Sequence, residues 1–439
     1  MAEIISVHVG QCGSQVGSQF WQMLHREHGL DQTGLARGEK TEQLHRISTY
    51  FSEEERTGRF RPRSVLVDLQ PGLGERTVGQ AGHCVTGYSG AANTWARAHY
   101  GPEAAGLRLE VSEVVRREAE QCDLLQGFQL SHALAGGSGS GLGSLLLEDL
   151  RDHFPARILN TFSVFPSSSA STGLVEPYNA GLTLPHLLQF SQGVFCADNL
   201  ALTKICSNKL NISSPAFSHL NHLVARMMSG VSGPLRYPSS ARTDLRKMVQ
   251  SLVPHPGLHF FISSLAPLSP SQPQPGVERL LADLYDGAHL LSDCDLRRAR
   301  HLTVNTIVQG NTSGLQLSHL ITSMMDTTSE RFVPWIWDNV MVNTCQTDQI
   351  SGCQIANSTA IAQPLRVISG QFSELWRRKA FLHNFTSEGM EEAEFASALG
   401  EMEDLISQYE DCEEAAGDDV TETEAESEYS VTSTEIRQN

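Results

Sequence analysis

Residues 134–144 read Leu-Ala-Gly-Gly-Ser-Gly-Ser-Gly-Leu-Gly-Ser and run directly into the apolar Leu145-Leu146-Leu147. Four glycines and two serines fill the six positions Gly136, Gly137, Ser138, Gly139, Ser140 and Gly141. A segment so poor in side chains lets backbone N–H groups approach an anion closely. The helical pattern that starts beyond it adds the positive end of a helix dipole. A flexible Gly/Ser linker has a similar composition, but linkers are not usually wedged between two apolar segments. The stretch therefore reads as a phosphate cradle.

Neither common nucleotide fingerprint fits it. A Walker loop ends in Gly-Lys-Ser/Thr, and no lysine occurs between Lys40 and Lys204. A dinucleotide fold places an acidic residue about 20 positions later, at the end of a second strand. Asp152 comes too early and sits in a polar segment. Phosphate charge here must be met by backbone dipoles, hydroxyls and a metal.

With 439 residues, 40% of them hydrophobic, the chain is long enough for two or three domains with sizeable cores. No apolar run reaches membrane-spanning length, and the start Met1-Ala2-Glu3-Ile4-Ile5 lacks the basic opening of a signal peptide. The expectation is a protein with no membrane partner. Nine cysteines without a Cys-x-x-Cys pair point to reduced thiols in the cytoplasm. A net charge of −18 argues against nucleic-acid binding. Residues 410–439 carry eleven acidic side chains against one basic residue, Arg437, so −10 of that charge sits on the tail. Such a segment buries too little apolar surface to order itself and would act as a disordered acidic brush for basic partners.

Up to residue 165 the chain alternates strands with helical patterns. Strands are expected at residues 4–9, 64–69, 127–134 and 158–165, with helices at 14–28, 94–100 and 111–122. This alternation specifies an α/β fold with a mostly parallel sheet covered on both faces. Ligands bind such sheets at the carboxyl ends of the strands. The turns at residues 10–13, 68–72, 89–93 and 135–141 each follow a strand, so they should converge on one crevice. A second region starts near Tyr237-Pro238, with strands expected at 259–264, 302–308 and 352–356, a helix at 244–252 and a proline-rich loop at 266–276. Helical patterns at 364–385 and 390–409 close the folded part.

With these turns in hand, the chain resembles the tubulin family over its whole length, and β-tubulin most closely. The resemblance is carried by Gly10-Gln11-Cys12-Gly13, Leu66-Val67-Asp68-Leu69, the glycine stretch, Val175-Glu176-Pro177-Tyr178-Asn179-Ala180, Leu220-Asn221-His222-Leu223-Val224, Asn357-Ser358-Thr359-Ala360-Ile361 and Arg377-Arg378-Lys379-Ala380-Phe381-Leu382-His383. It implies a Rossmann-like GTP-binding domain over residues 1–198 and a linking core helix over 199–236. An α+β intermediate domain (237–363), a C-terminal helical hairpin (364–409) and the acidic tail (410–439) follow. It implies a GTP-binding structural subunit of cytoplasmic microtubules, paired with α-tubulin in a heterodimer, with motors and basic microtubule-associated proteins drawn to the tail. Among cofactors it implies GTP or GDP and Mg2+.

Carried over by position, Gln11, Cys12 and Asn93 lie by the nucleotide. Gly136, Gly137, Ser138, Gly139 and Ser140 cradle the phosphates, and Glu176 lies near the ribose. Asn199 and Asn221 face the guanine edge, because an amide offers both donor and acceptor, and Phe217 stacks on the base. Asp244 and Lys247 lie on the segment that meets the nucleotide of the next subunit. There α-tubulin carries a glutamate that activates the attacking water; a lysine ammonium can hold phosphate charge but not take a proton from water. The resemblance thus places no catalytic residue in this chain. Turnover of its GTP is expected only in the assembled polymer, with the glutamate supplied by the partner α-subunit.

Several positions depart from the family pattern. Gln70 replaces a glutamate that helps hold Mg2+, and an amide oxygen is the poorer ligand for a hard cation. Ala92, Ala133 and Ala135 replace two glycines and a serine near the phosphates. Thr94, Thr172, Leu200 and Thr203 replace polar or aromatic neighbours of the nucleotide. Pro234 replaces a cysteine, and the lateral-contact loop at 269–277 is short and proline-rich. These departures define an alternative reading, a specialised tubulin relative with weakened GTP hydrolysis or lateral assembly. A dinucleotide-dependent enzyme would share the glycine stretch but leaves the acidic tail and Lys247 unexplained.

Overall fold

The computed structural model describes residues 2–37, 44–54, 56–72, 82–167, 173–239, 243–269, 276–310, 322, 331–336, 340–347 and 349–435. Strands β1 (Ala2–Val9), β4 (Ser64–Asp68), β5 (His83–Thr86), β6 (Leu124–Ala133), β7 (Ile158–Phe165), β8 (Gly193–Asp198) and β9 (Phe260–Ala266) pair in parallel in the order β5-β4-β1-β6-β7-β8-β9. The sheet continues through β12 (Ser351–Ser358), β10 (His301–Gln309) and β11 (Val340–Cys345) to ten strands, and turns antiparallel at β9–β12 and β12–β10. A separate hairpin pairs β2 (Phe51–Glu54) with β3 (Arg59–Pro62).

The central strands are buried on both sides, as a sheet sandwiched between helices requires. All eight residues of β7 are buried. In β9, Phe260 and Ile262 face one core while Phe261 and Leu265 face the other. One face is covered by α1 (Gly10–Glu27), α6 (Asn199–Asn208), α7 (Phe217–Arg236) and α8 (Leu245–Leu252). The other is covered by α3 (Pro102–Glu120), α4 (Gly143–His153), α5 (Glu176–Phe190) and the hairpin of α10 (Ala362–Arg377) and α12 (Glu392–Glu435). Short helices α2 (Trp95–Tyr100), α9 (Val277–Tyr285) and α11 (His383–Thr386) complete the set among the described residues. The hairpin is locked by aromatic contacts: Trp376 stacks on Phe395 with centroids 5.1 Å apart, and Tyr178 of α5 meets Phe372, Phe385 and Phe395 edge-on.

The α/β class, the parallel order and the hairpin are as the sequence implies. Several elements differ. Helix α1 starts at Gly10, so residues 10–13 are its first turn and not a connecting loop. Residues 199–236 form two helices, α6 and α7, where one core helix was expected. Pairing of β8 with β9 joins the segments 1–198 and 237–363 into one continuous sheet. Helix α12 carries the hairpin past residue 409 into the acidic stretch. Its start is tied down by Arg366 on Glu410 and Thr359 on Glu413. Thr172 and most of the loop at 269–277 lie outside the described residues.

Candidate functional site

The crevice sits where the turns follow β1, β4, β5 and β6. The glycine stretch is the first structural surprise. Only residues 134–136 are loop; Ser138–Leu142 wind as a single π-helical turn that feeds α4. π-turns inside helices recur at functional sites. Small residues are required because the turn is wedged between neighbours. A Cβ on Gly139 would lie 2.6 Å from the Ala133 carbonyl oxygen, and one on Gly141 would lie 2.2 Å from that of Trp95. Gly10, at φ +74°, brings the start of α1 against the same turn: its Cβ would lie 2.9 Å from Gly139 N. At Gly136 a Cβ would meet nothing within 4 Å. The cradle is thus packed behind Gly137–Gly141 and open at Gly136.

The turn after β5 closes one side. Ala92 and Asn93 both adopt left-handed backbone, at φ 46° and 56°. The Asn93 side-chain oxygen accepts from Gly137 N at 3.3 Å. Its amide nitrogen and the Glu176 carboxylate converge beside Gly173. Asn93, Gly137 and Glu176, expected together at the nucleotide, do come together. Ser138 and Ser140 play different parts. Ser138 opens the π-helical turn beside Asp68, whose carboxyl is pushed up by burial at the end of β4. The Ser140 hydroxyl, fully buried, donates inward to the Gly136 carbonyl at 2.7 Å. Ser140 therefore shapes the turn from within. Beneath it, His132 Nδ1 donates to the Gly139 carbonyl at 2.8 Å while its Nε2 faces the Ser163 hydroxyl at 2.9 Å. Burial pulls the His132 pKa down to about 4, so the ring is neutral. Burial likewise pushes the Cys12 thiol up to about 12, which makes Cys12 an uncharged neighbour of the cradle.

Beyond the glycine turn opens a cavity of about 990 Å³ between α1, α7 and residues 268–269. Gln11, Gln15, Phe217 and Asn221 line it. Asn221 Nδ2 donates to Gln15 Oε1 at 3.0 Å, tying the two helices together. Phe217, two-thirds exposed, starts α7 at the rim. Asn199 opens α6 directly after the helix cap Asp198, which accepts from Leu200 N at 2.6 Å. Asn199 is not among the residues lining the cavity.

Gln70 lies two residues past Asp68, its side chain packed on Gly90. Among the described residues no group of three or more His, Cys, Asp or Glu is placed to hold a metal ion. Asp244 and Lys247 lie elsewhere. Asp244 caps α8 by accepting from Lys247 N at 2.7 Å, and Leu245 N donates to Gln126 near the start of β6. The glycine turn follows the other end of that ten-residue strand. At about 3.3 Å per residue, the two sites are roughly 30 Å apart on opposite ends of the sheet.

Four contributors were not singled out from the sequence. Gln15 could have been found, because it lies four residues after Gln11 on the same helix face. Asp68 could have been found as the acidic residue that ends a strand. His132 and Asn179 act only through tertiary contacts and carry no local signal.

A family model described as the Tubulin/FtsZ family, GTPase domain matches residues 3–207, and one described as the Tubulin C-terminal domain matches residues 256–369. The Tubulin beta-1 chain of Colletotrichum graminicola is 44% identical over 432 residues, covering 95% of this chain and 97% of that protein. With a glycine turn after β6 and the paired Gln15–Asn221 cavity wall already in place, this chain belongs to the tubulin family and is of the β-tubulin type.

Proposed function

We propose that the chain is the GTP-holding β-type subunit of a microtubule-forming heterodimer with α-tubulin. The observation that carries this reading is the placement of the cradle and of α8 at opposite ends of β6. Stacking subunits head to tail sets the α8 of one against the cradle of the next, so a nucleotide held there lies in the contact.

The residues present fit a guanine nucleotide. The open N-terminal face at Gly136 and the dipole of the following helix suit phosphate. The Asn221 and Gln15 amides and the Phe217 ring suit a purine with a mixed donor–acceptor edge. Gln11, Asn93, Glu176 and Ser138 complete the enclosure. Asn199 belongs to the proposed guanine contacts only if α6 closes toward the base. Mg2+ would be held mainly by phosphate oxygens and water, with Asp68 as the protein carboxylate; this suits a metal that keeps several waters. The ion would neutralise phosphate charge. No described side chain at the crevice is arranged as a general base, so the partner subunit is the source proposed for the group that activates water. The acidic residues from Glu410 onward are the proposed contact for basic microtubule-associated proteins and motors. No described helix is long and apolar enough to cross a membrane. Cytoplasmic microtubules are the proposed location.

Co-expression with α-tubulin, followed by sizing and analysis of bound nucleotide with and without Mg2+, tests the reading. A stoichiometric heterodimer carrying guanine nucleotide is expected. A chain that never pairs, or pairs without retaining nucleotide, would refute it.

A further inference from the structure

We propose that Asn179 is the positioning residue of the cradle, an inference that rests on the nucleotide reading above. Asn179 lies in the first turn of α5 and is fully buried. Its amide spans three backbone groups from two separate turns. Oδ1 accepts from Trp95 N at 2.9 Å, and Nδ2 donates to the Asn93 carbonyl at 2.9 Å and the Ala135 carbonyl at 2.8 Å. One side chain thus fastens the turn after β5 to the turn after β6.

The consequence follows from peptide geometry. In a planar trans peptide the carbonyl and the next N–H point in opposite directions. Drawing the Ala135 carbonyl back to Asn179 therefore turns the Gly136 N–H away from it. Gly136 is the position with open space in front of it. The same amide holds the carbonyl of Asn93, which occupies left-handed backbone beside Ala92 in the same state. Two consecutive residues of that kind persist only when their surroundings over-determine them. Asn179 supplies that restraint from a helix rather than from either turn. Aspartate lacks the donor and would set a second acceptor against two carbonyls. Glutamine is one methylene longer in a site with no room. The sequence shows the asparagine but not the two carbonyls it holds.

The test uses the full chain paired with α-tubulin and a fluorescent guanosine triphosphate as probe. Dissociation of the probe is expected to be about tenfold faster in N179A, where the bonds are lost. It should be faster still in N179D, where the carbonyls meet an acceptor. N179D should partly recover as pH falls, because a protonated carboxyl donates again; a merely structural loss would show no such recovery. T183A is the control. Thr183 is equally buried one turn further along α5, and its hydroxyl bonds only the Asn179 backbone carbonyl at 2.7 Å. T183A should keep the parental dissociation rate. If N179D does not fold, N179A against T183A decides. Rates within twofold of the parent in N179A, or equal acceleration in N179A and T183A, would overturn the positioning role. Failure of the parent chain itself to bind the probe would overturn the nucleotide reading instead.

Discussion

Acid should unfold this protein through its buried histidines, and the size of the effect can be worked out. His8, His132, His259 and His301 are each less than 7% exposed. Burial pulls their pKa values from 6.5 down to about 3 for His8 and about 4 for the other three. A group whose folded pKa is depressed contributes stability that is complete above the unfolded value and is lost as pH falls toward the folded one. Between pH 7 and pH 5 each of the four therefore costs about 2 kcal/mol, roughly 8 kcal/mol together. Asp198 works the other way. Burial raises its carboxyl to about 6, so it adds about 1 kcal/mol of stability as pH falls to 5. The net loss is comparable with the whole stability of a typical fold. The assay is proton uptake on urea unfolding of the purified chain at pH 5, read by calorimetry in buffers of different ionisation enthalpy. The four histidines and Asp198 account for about three protons taken up, and His99 and His186, lowered by burial to about 4 and about 3, add about two more. H259N, at a site remote from the cradle, should lower that number by about one. Uptake of fewer than one proton, or a melting temperature unchanged from pH 7 to pH 5, would refute the argument. Because His132 holds the Gly139 carbonyl, nucleotide release should accompany the transition.

Three substitutions test other parts of the site. Q70E restores a carboxylate beside Asp68 and should lower the Mg2+ concentration needed to retain nucleotide by about tenfold, read by titrating metal against nucleotide release. A92G relieves left-handed backbone at φ 46° and should raise stability by about 0.5–1 kcal/mol, measured as a shift in urea midpoint. R236A should cost about 3–5 kcal/mol in the same measurement. The fully buried Arg236 pairs with Glu27 at 2.6 Å and bonds Ser229 and Ser232, so its removal takes away the cation that balances the carboxylate and leaves Glu27 with the Ser229 hydroxyl as its donor.

The sequence exposes the fold where one rule governs a whole element. Strand β7 is recognisable because its aliphatic and aromatic residues Ile158, Leu159, Phe162, Val164 and Phe165 fall on both faces of one short segment; its observed bounds, Ile158–Phe165, match the expected strand. Helix α8 is legible from Asp244, whose capping bond to Lys247 N is local. Strands β5 and β11 were not visible, since His83–Thr86 and Val340–Cys345 are short and partly exposed, and their pairing depends on neighbours far along the chain. The same division runs through the candidate site. The glycine stretch announces a close backbone approach, yet its composition suggests a loop while the chain forms a π-turn and a helix. That outcome is set by what presses on it: the Ala133 carbonyl from the end of β6, the Trp95 carbonyl from the start of α2, Gly10 from α1 and His132 from below. Each demands a missing Cβ or a carbonyl held at one angle, and Trp95 and Gly10 come from far along the chain. The residues that bear on a ligand are therefore readable as types, whereas the residues that aim them, Asn179 and His132, become visible only when distant segments are brought together. A glycine turn exchanged between two proteins without its asparagine and its histidine should carry the composition of this site but not its aim.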